Sequence, residues 1–214
     1  MRKRCLDALS RWCSPILFCL STLLVAACGD DEDGSDVPAV REELVDAEVG
    51  HDRLVVRVIT DDGVTYYPTQ AISATQADTL MRCICRYAPK NDGLAHIYSL
   101  AAILAPEPRP LREFKQVGHD PVNIKSVWKA KSLPYVNLHL GVLTSDVGSH
   151  SFGFVADSVV DGKSFFTLLH RRPKDDAEAY TRDTYLSLPL AGVPATDSII
   201  LHINTHDGLK RYAF

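Results

Sequence analysis

The sequence has no apolar run long enough for a permanent membrane-spanning helix. The apolar run at residues 12–25 falls short of the roughly 20 residues that such a helix needs. Basic residues precede the run and small residues follow it, which is the order of a secretory signal peptide. We therefore predict that residues 1–27 are a signal peptide that is removed. An ordinary secreted protein or a short membrane helix is the alternative.

Cysteine is scarce in the part of the chain that remains. Three of the six cysteines leave with the predicted signal peptide, namely Cys5, Cys13 and Cys19. Beyond Cys28 only Cys83 and Cys85 are left, which is too few for a disulfide framework. On a strand these two would share one face, with Cα atoms about 6.6 Å apart, at the far edge of disulfide geometry. We interpret them as two buried small apolar residues, with a redox pair or half of a metal site as the alternative.

A concentrated basic surface is also missing. The formal net charge is -4, and removal of four basic residues and one acid with the signal peptide makes it -7. Residues 28–62 hold twelve acids against three basic residues, and the remainder of the chain is electrostatically mixed. Because phosphate backbones are bound by concentrated positive charge, we expect no nucleic-acid partner.

Regular metal-ligand spacing is absent as well. The closest histidine pair, His202 and His206, lies in a β-rich stretch, where four residues separate the side chains by about 13 Å. No cysteine or acid accompanies the pair at the spacing of a zinc site. We predict no metal and no cofactor.

No nucleophile motif stands out either. Ser149-His150-Ser151 with Asp146 contains triad residue types, but the Gly-x-Ser-x-Gly pattern of a nucleophile elbow is missing. We therefore predict a protein that is not an enzyme; a hydrolase would need a site assembled from His139, His150 or Asp146 across strands. The basic run at residues 170–174 is interpreted as a solvated loop, with a binding edge as the alternative.

The residues around Cys28 indicate how the mature protein is held. Val25-Ala26-Ala27-Cys28 resembles a bacterial lipobox, in which the cysteine becomes the acylated first residue of the mature chain. Each buried methylene of an acyl chain such as palmitate contributes about 0.8 kcal/mol, so several chains anchor a protein stably. We predict a lipoprotein attached to the membrane through Cys28 and not spanning it.

An acidic run follows the cysteine directly. It consists of Asp30, Asp31, Glu32 and Asp33. Like charges at this density should remain solvated, so we predict a tether over residues 28–49. The run also resembles the export signal that directs lipoproteins of the Bacteroidetes to the outer face of the outer membrane. This predicts a lipid-anchored protein facing the cell exterior; a flexible acidic spacer is the alternative.

The rest of the chain reads as two β-rich regions. Strand and turn signals fill residues 50–105, beginning with two strands joined by Asp61-Asp62-Gly63. Three prolines at alternate positions then break any regular structure, which predicts a stiff linker at residues 106–120; a Pro-rich recognition ligand is the alternative. Residues 121–214 contain about seven short strands, many with alternating polar and apolar residues, as in a β-sandwich.

Several stretches of the second region are similar to a known family. They are Asp120-Pro121-Val122-Asn123-Ile124, Tyr135-Val136-Asn137-Leu138, Leu169-His170-Arg171, the stretch from Asp197 to Asn204, and Tyr212-Ala213-Phe214. These stretches resemble the NigD-like lipoproteins of the Bacteroidetes. The resemblance implies an all-β protein: a small N-terminal barrel similar to an OB-fold, then a C-terminal antiparallel β-sandwich.

The functional expectation follows from this resemblance and the predicted anchor. We expect a binding or accessory module in the cell envelope, with an unknown envelope protein or glycan as partner. A bacteriocin immunity or export accessory protein is the alternative, which the family name suggests. Aromatic residues such as Trp128 and Tyr185 fit either a sugar-binding platform or a hydrophobic core.

Overall fold

The computed structural model describes residues 39–145, 150–174, 176, 180–194 and 198–214. These residues form twelve strands: β1 (Arg41–Val49), β2 (Val55–Thr60), β3 (Thr65–Pro68), β4 (Thr79–Pro89), β5 (Leu94–Ala102), β6 (Asn123–Lys129), β7 (Tyr135–Thr144), β8 (Ser151–Val160), β9 (Lys163–Arg171), β10 (Tyr180–Pro189), β11 (Ser198–Thr205) and β12 (Gly208–Ala213). Two single 3₁₀ turns lie at Asn91–Gly93 and Leu111–Glu113. None of the described segments is a helix of the length and apolarity needed to cross a membrane.

The first five strands close into a barrel in the order β1-β2-β3-β5-β4. The predicted hairpin of β2 and β3 is confirmed, and Gly63 in its turn has a φ of +85°, which glycine adopts without strain. Small and β-branched side chains fill the interior, including Val45, Ala47 and Val58. The four residues of β3 and its parallel pairing with β5 make this a small barrel of the OB type, as the fold prediction states.

The strand β1 corrects the predicted tether, which was placed over residues 28–49. β1 pairs with β2 on one side and with β4 on the other, so the barrel is closed by residues assigned to the tether. The acidic residues of this stretch hid the alternation of its apolar residues. One of those acids, Asp46, is only 4% exposed, and its charge is balanced by the guanidinium of Arg82 at 3.3 Å.

The remaining seven strands form the predicted sandwich. A three-stranded sheet (β10-β7-β6) faces a four-stranded sheet (β12-β11-β9-β8). The core lies between them and includes Leu138, Leu140, Phe154, Leu186 and Leu201. Neighbouring strands run antiparallel except β9 and β11, which are parallel. The alternation in β7 is as predicted, because its apolar residues enter this core.

The segment predicted as a linker, residues 106–120, lies against the sandwich. The backbone N–H of Arg109 donates to Phe154 O at 3.0 Å, and the N–H of Ala156 donates to Arg109 O at 2.9 Å. Further along, the N–H of His170 donates to Gly118 O at 3.1 Å. The predicted stiff linker is therefore corrected to a segment that packs on the sandwich, because Arg109 bonds to β8 and Gly118 bonds to β9.

Candidate functional site

A buried arginine lies where the barrel meets the sandwich. Arg82 is on β4, on the face opposite the buried Cys83 and Cys85, and its side chain is 2% exposed. Within the barrel it donates from Nη1 to Asp46 at 3.3 Å and from Nη2 to Asp61. Removing a guanidinium from water is costly unless it is paired and hydrogen-bonded, so these carboxylates make its burial possible.

The sandwich supplies the other partners of Arg82. Its Nη2 donates to the side-chain oxygen of Asn137 at 3.0 Å, and its Nε donates to Ser187 Oγ at 3.1 Å. Its guanidinium carbon lies 4.2 Å from the ring centre of Tyr135, a cation–π contact. Asn137 and Ser187 are fully buried, so this network joins strands of both parts of the protein.

The charge balance of this network is negative, with two carboxylates for one guanidinium. Burial raises the pKa of Asp46 above its ordinary value, and the positive charge of Arg82 opposes that shift. Burial also raises the pKa of Tyr135 to about 12, so its hydroxyl stays protonated and donates to Asp46 at 3.3 Å. The side chain of Asp61 is 17% exposed, so solvent reaches part of its carboxylate.

Two turns reinforce the same junction. The N–H of Ser132, between β6 and β7, donates to Asp61 O at 2.8 Å, and its hydroxyl donates to Asp62 O at 2.9 Å. A Cβ at Gly63 would lie 2.9 Å from Ser132 Oγ, so only glycine lets the turns approach this closely. Lys131 completes the contact through an ion pair with Asp62.

A groove of about 270 Å³ opens at the rim of this junction. Its lining combines an indole ring, an aliphatic side chain and carboxylates: Glu42, Glu43, Leu44, Asp61, Asp62 and Trp128. Trp128 belongs to the sandwich and the other lining residues to the barrel, so neither part forms the groove alone. The sequence placed Trp128 on a strand without indicating this surface.

A second polar cluster lies at one end of the sandwich. His150 Nδ1 is 2.8 Å from His170 Nε2, and His150 Nε2 is 2.8 Å from Asp176 Oδ2. The interpretation of residues 170–174 as a solvated loop is wrong for His170, which is 2% exposed. Phe152 covers its ring at 4.7 Å, so burial holds the pKa of His170 below its ordinary value.

The residues of the hydrolase alternative do not form one described cluster. His139 stacks on Tyr185 at 4.2 Å and lies 3.4 Å from Asp183, whereas His150 belongs to the cluster with His170. Asp146, Ser149 and the turn around them lie outside the described residues.

The two strand cysteines lie side by side in the barrel core. Cys83 and Cys85 are free thiols with no exposed surface, in agreement with their interpretation as small buried residues. His202 lies on β11 and His206 in the exposed turn that follows. Among the residues that the structure describes, no three His, Cys, Asp or Glu side chains group as a metal site would require.

The predicted lipidation site and export signal are not covered by the structure. Cys28, Asp30, Asp31, Glu32 and Asp33 all lie outside the described residues. Their roles remain predictions from the sequence.

Neither the buried position of Arg82 nor the contact between His150 and His170 was predicted from the sequence. Alternation placed Arg82 opposite the cysteines, but it could not show that the sandwich covers that outer face of the barrel. The one available signal was Asn137, a polar residue in a strongly apolar strand, which the structure places on Arg82.

Together, the closed barrel, the packed sandwich and the polar network between them define a two-part, all-β protein. A family model for the NigD-like C-terminal β-sandwich domain matches residues 107–214, half of the chain. The protein therefore belongs to the NigD-like family, as its sequence motifs predicted.

Solved structures give the same picture. A NigD-like immunity protein from Bacteroides caccae is 27% identical, with a TM-score of 0.63 over 83% of this chain and 92% of that one. A proposed toxin-related protein from Parabacteroides distasonis (14% identity, TM-score 0.67, 82% of this chain and 92% of that one) shares the fold. So does a proposed lipoprotein from Bacteroides fragilis (11% identity, TM-score 0.58, 83% and 97%). No curated protein sequence matches the chain.

Proposed function

We propose that this protein is a non-enzymatic lipoprotein of the outer membrane that binds a protein partner at the cell surface. The observation that carries the proposal is the Arg82 network, which holds the barrel and sandwich together so that both contribute to the groove at Trp128. A surface composed of two rigidly joined parts is preorganised, which lowers the entropic cost of binding.

The chemistry of the groove favours a partner with basic side chains. Four carboxylates line it, while Arg82 and Lys131 pair with only two of them. The indole of Trp128 offers a flat ring on which a cationic side chain can stack. An envelope glycan is the alternative ligand, since sugars also stack on such rings.

A role without catalysis is supported by the state of the histidines. The two nitrogens of His150 contact His170 and Asp176, and neither contacts a described serine, threonine or cysteine that could act as a nucleophile. The ring of His139 is stacked on that of Tyr185, and only 20% of the His139 side chain is exposed to solvent.

The anchor completes the proposal. Acylation of Cys28, by palmitate or a similar chain, holds the protein on the membrane, and the run Asp30, Asp31, Glu32 and Asp33 directs it to the outer face. The similarity in fold to a proposed lipoprotein from Bacteroides fragilis supports this part.

Bacteriocin immunity is the second candidate function. It is favoured by the likeness to the immunity protein from Bacteroides caccae over most of both chains. In this role the groove would capture a toxin, whereas an export accessory protein would bind a component of the secretion apparatus.

The groove is tested by photo-crosslinking in intact cells with a reactive amino acid at position 128. The control carries it at position 180, since Tyr180 is exposed and outside the groove. A discrete protein adduct at 128 that is missing at 180 supports the proposal. Equal labelling at both positions, or loss of glycan binding in Trp128→Ala without any protein adduct, contradicts it.

The location is tested by protease treatment of intact cells. We expect the native protein to be cleaved and a variant with alanine at positions 30–33 to be protected, with Cys28 acylated in both by mass spectrometry. Protection of both proteins would make the acidic run a spacer only. Survival of a deletion strain exposed to the toxin then separates immunity from an accessory role.

A further inference from the structure

At one end of the sandwich, three hydrogen-bond contacts link Asp120 to Asp176 through the rings of His170 and His150. His170 Nδ1 lies 3.1 Å from the backbone oxygen of Asp120. His170 Nε2 lies 2.8 Å from His150 Nδ1, and His150 Nε2 lies 2.8 Å from Asp176 Oδ2. The chain of contacts therefore begins and ends on an oxygen atom.

Both terminal oxygens can only accept hydrogen bonds. A backbone carbonyl has no proton to donate. Asp176 also accepts at its other oxygen from Ser145 N (2.7 Å), Ser145 Oγ (2.8 Å) and Thr144 Oγ1 (3.2 Å). These bonds, led by the Ser145 N–H, lower the pKa of Asp176 far below its ordinary range, so its carboxylate is ionised. His170 Nδ1 and His150 Nε2 must therefore both carry a proton.

The contact between the two rings holds one proton more. Two lone pairs facing each other at 2.8 Å repel, and so do two N–H groups, so one of the two nitrogens is protonated and the other accepts. The four ring nitrogens then carry three protons, whereas two neutral imidazoles carry two.

We propose that His150 and His170 share one additional proton, and that this protonated pair is a pH-responsive clamp on the end of the sandwich. The clamp joins His170 of β9 to three segments: Asp120 ahead of β6, His150 directly ahead of β8, and Asp176 in the stretch after β9. Removal of the shared proton leaves one of the three contacts without a donor. Addition of a second proton places two donors between the rings.

The charged surroundings favour a single proton. Asp120 accepts at Oδ2 from Arg172 N (2.7 Å), and Arg172 Nη2 donates to the backbone oxygen of Asp176 (2.7 Å). Other titratable or charged groups on the adjoining elements are His119, Arg171, Lys174 and Arg182. One carboxylate, that of Asp176, contacts the pair directly. It balances one positive charge on the two rings, and a second positive charge would have no carboxylate in direct contact to balance it.

The acid side of the response follows from His170. Burial and the neighbouring charge of His150 lower the pKa of His170, while an opened or unfolded chain would bind the second proton at the ordinary histidine value. The clamp is therefore intact above that ordinary value and weakens as pH falls below it, because the open state then takes up the extra proton. On the alkaline side it weakens when the shared proton is lost.

Nitrogen NMR of the full-length chain in detergent, labelled at histidine, tests the proton count directly. At neutral pH we expect protonated shifts for His170 Nδ1 and His150 Nε2, and one shared proton at His150 Nδ1 and His170 Nε2. Two neutral rings at neutral pH, or two fully protonated rings, would overturn the proposal without any substitution.

Hydrogen exchange tests whether the proton acts as a clamp. His150→Asn and His170→Gln should each speed amide exchange at residues 118–120, 122 and 170–172 by about tenfold near neutral pH, after correction for intrinsic rates. His206→Asn, at an exposed turn position, should leave these residues unchanged. If exchange in the native protein shows no added acceleration below pH 6, or the His206 variant matches the other two, the pair is not a pH-responsive clamp.

Discussion

Arg82 of the barrel donates a 3.0 Å hydrogen bond to Asn137 of the sandwich, between two side chains that are almost fully buried. The same amide oxygen accepts from Ser187 Oγ at 2.7 Å, while the amide nitrogen donates to Asp61 at 2.6 Å. Every polar atom of the Asn137 side chain thus bonds to another member of the network. Because each partner depends on the others, we expect the network to respond as a unit to substitution.

Replacing Arg82 by methionine should strongly destabilise the protein. The change leaves Asp46 buried without its cation, and breaking a buried ion pair in this way costs about 3–5 kcal/mol. The free energy of unfolding in urea measures the effect. Arg86→Met on the same strand is the control, because Arg86 is exposed and its loss should change stability by no more than about 0.5 kcal/mol. Equal stability of the two variants would show that the network is dispensable.

Replacing Asp46 by asparagine should be far milder, because it removes the surplus negative charge and leaves Arg82 paired with Asp61. We expect a change within about 1 kcal/mol at neutral pH. The raised pKa means that the native state holds the Asp46 proton more tightly than the unfolded state. The resulting stabilisation is present at low pH and is lost as pH rises through the native pKa.

Unfolding free energies of native protein and Asp46→Asn between pH 3 and 7 test this sign. The difference between them should shift in favour of the asparagine variant as pH increases. A shift in the opposite direction would mean that Arg82, and not burial, dominates the titration of Asp46.

Gly118 should not tolerate a side chain. A Cβ there would lie 2.5 Å from Arg171 Cβ and 2.7 Å from the backbone oxygen of His170, and backbone atoms cannot rotate away. Gly118→Ala is expected to cost about 1–3 kcal/mol. Gly192→Ala is the matched control, since no atom lies within 4 Å of its added methyl group. Thermal unfolding of both variants compares them, and equal midpoints would show that residues 106–120 adjust freely.

The sequence anticipated features that depend on neighbouring residues. Alternation identified β7, and Asp62-Gly63 identified the first hairpin, because residue period and turn conformation are local properties. The strand β1 was not predicted, because four of its nine residues are acidic and the stretch was therefore assigned to the tether. Its outer face is buried by the sandwich, which no local pattern records.

The histidine pair escaped for a related reason. His150 directly precedes β8 and His170 is the last residue but one of β9, so only the pairing of these strands brings the two rings together. The third member, Asp176, lies in a run of mixed charges that reads as solvated loop. Long-range register and burial, which produced both polar clusters, are tertiary properties of the chain.

The two thiols of the barrel core should be unreactive in the folded protein. Burial raises the pKa of Cys83 to about 11 and that of Cys85 to about 12, so almost no thiolate forms at neutral pH. Labelling with a thiol reagent, followed by mass spectrometry of the peptide that contains both residues, should give little product in buffer and complete reaction in denaturant. Rapid labelling of either cysteine in the native protein would mean that the barrel opens at β4. Thiol labelling of the Gly118→Ala variant also shows whether a change in the sandwich reaches the barrel. If the destabilisation is confined to the sandwich, the labelling rate of Cys83 and Cys85 should be unchanged.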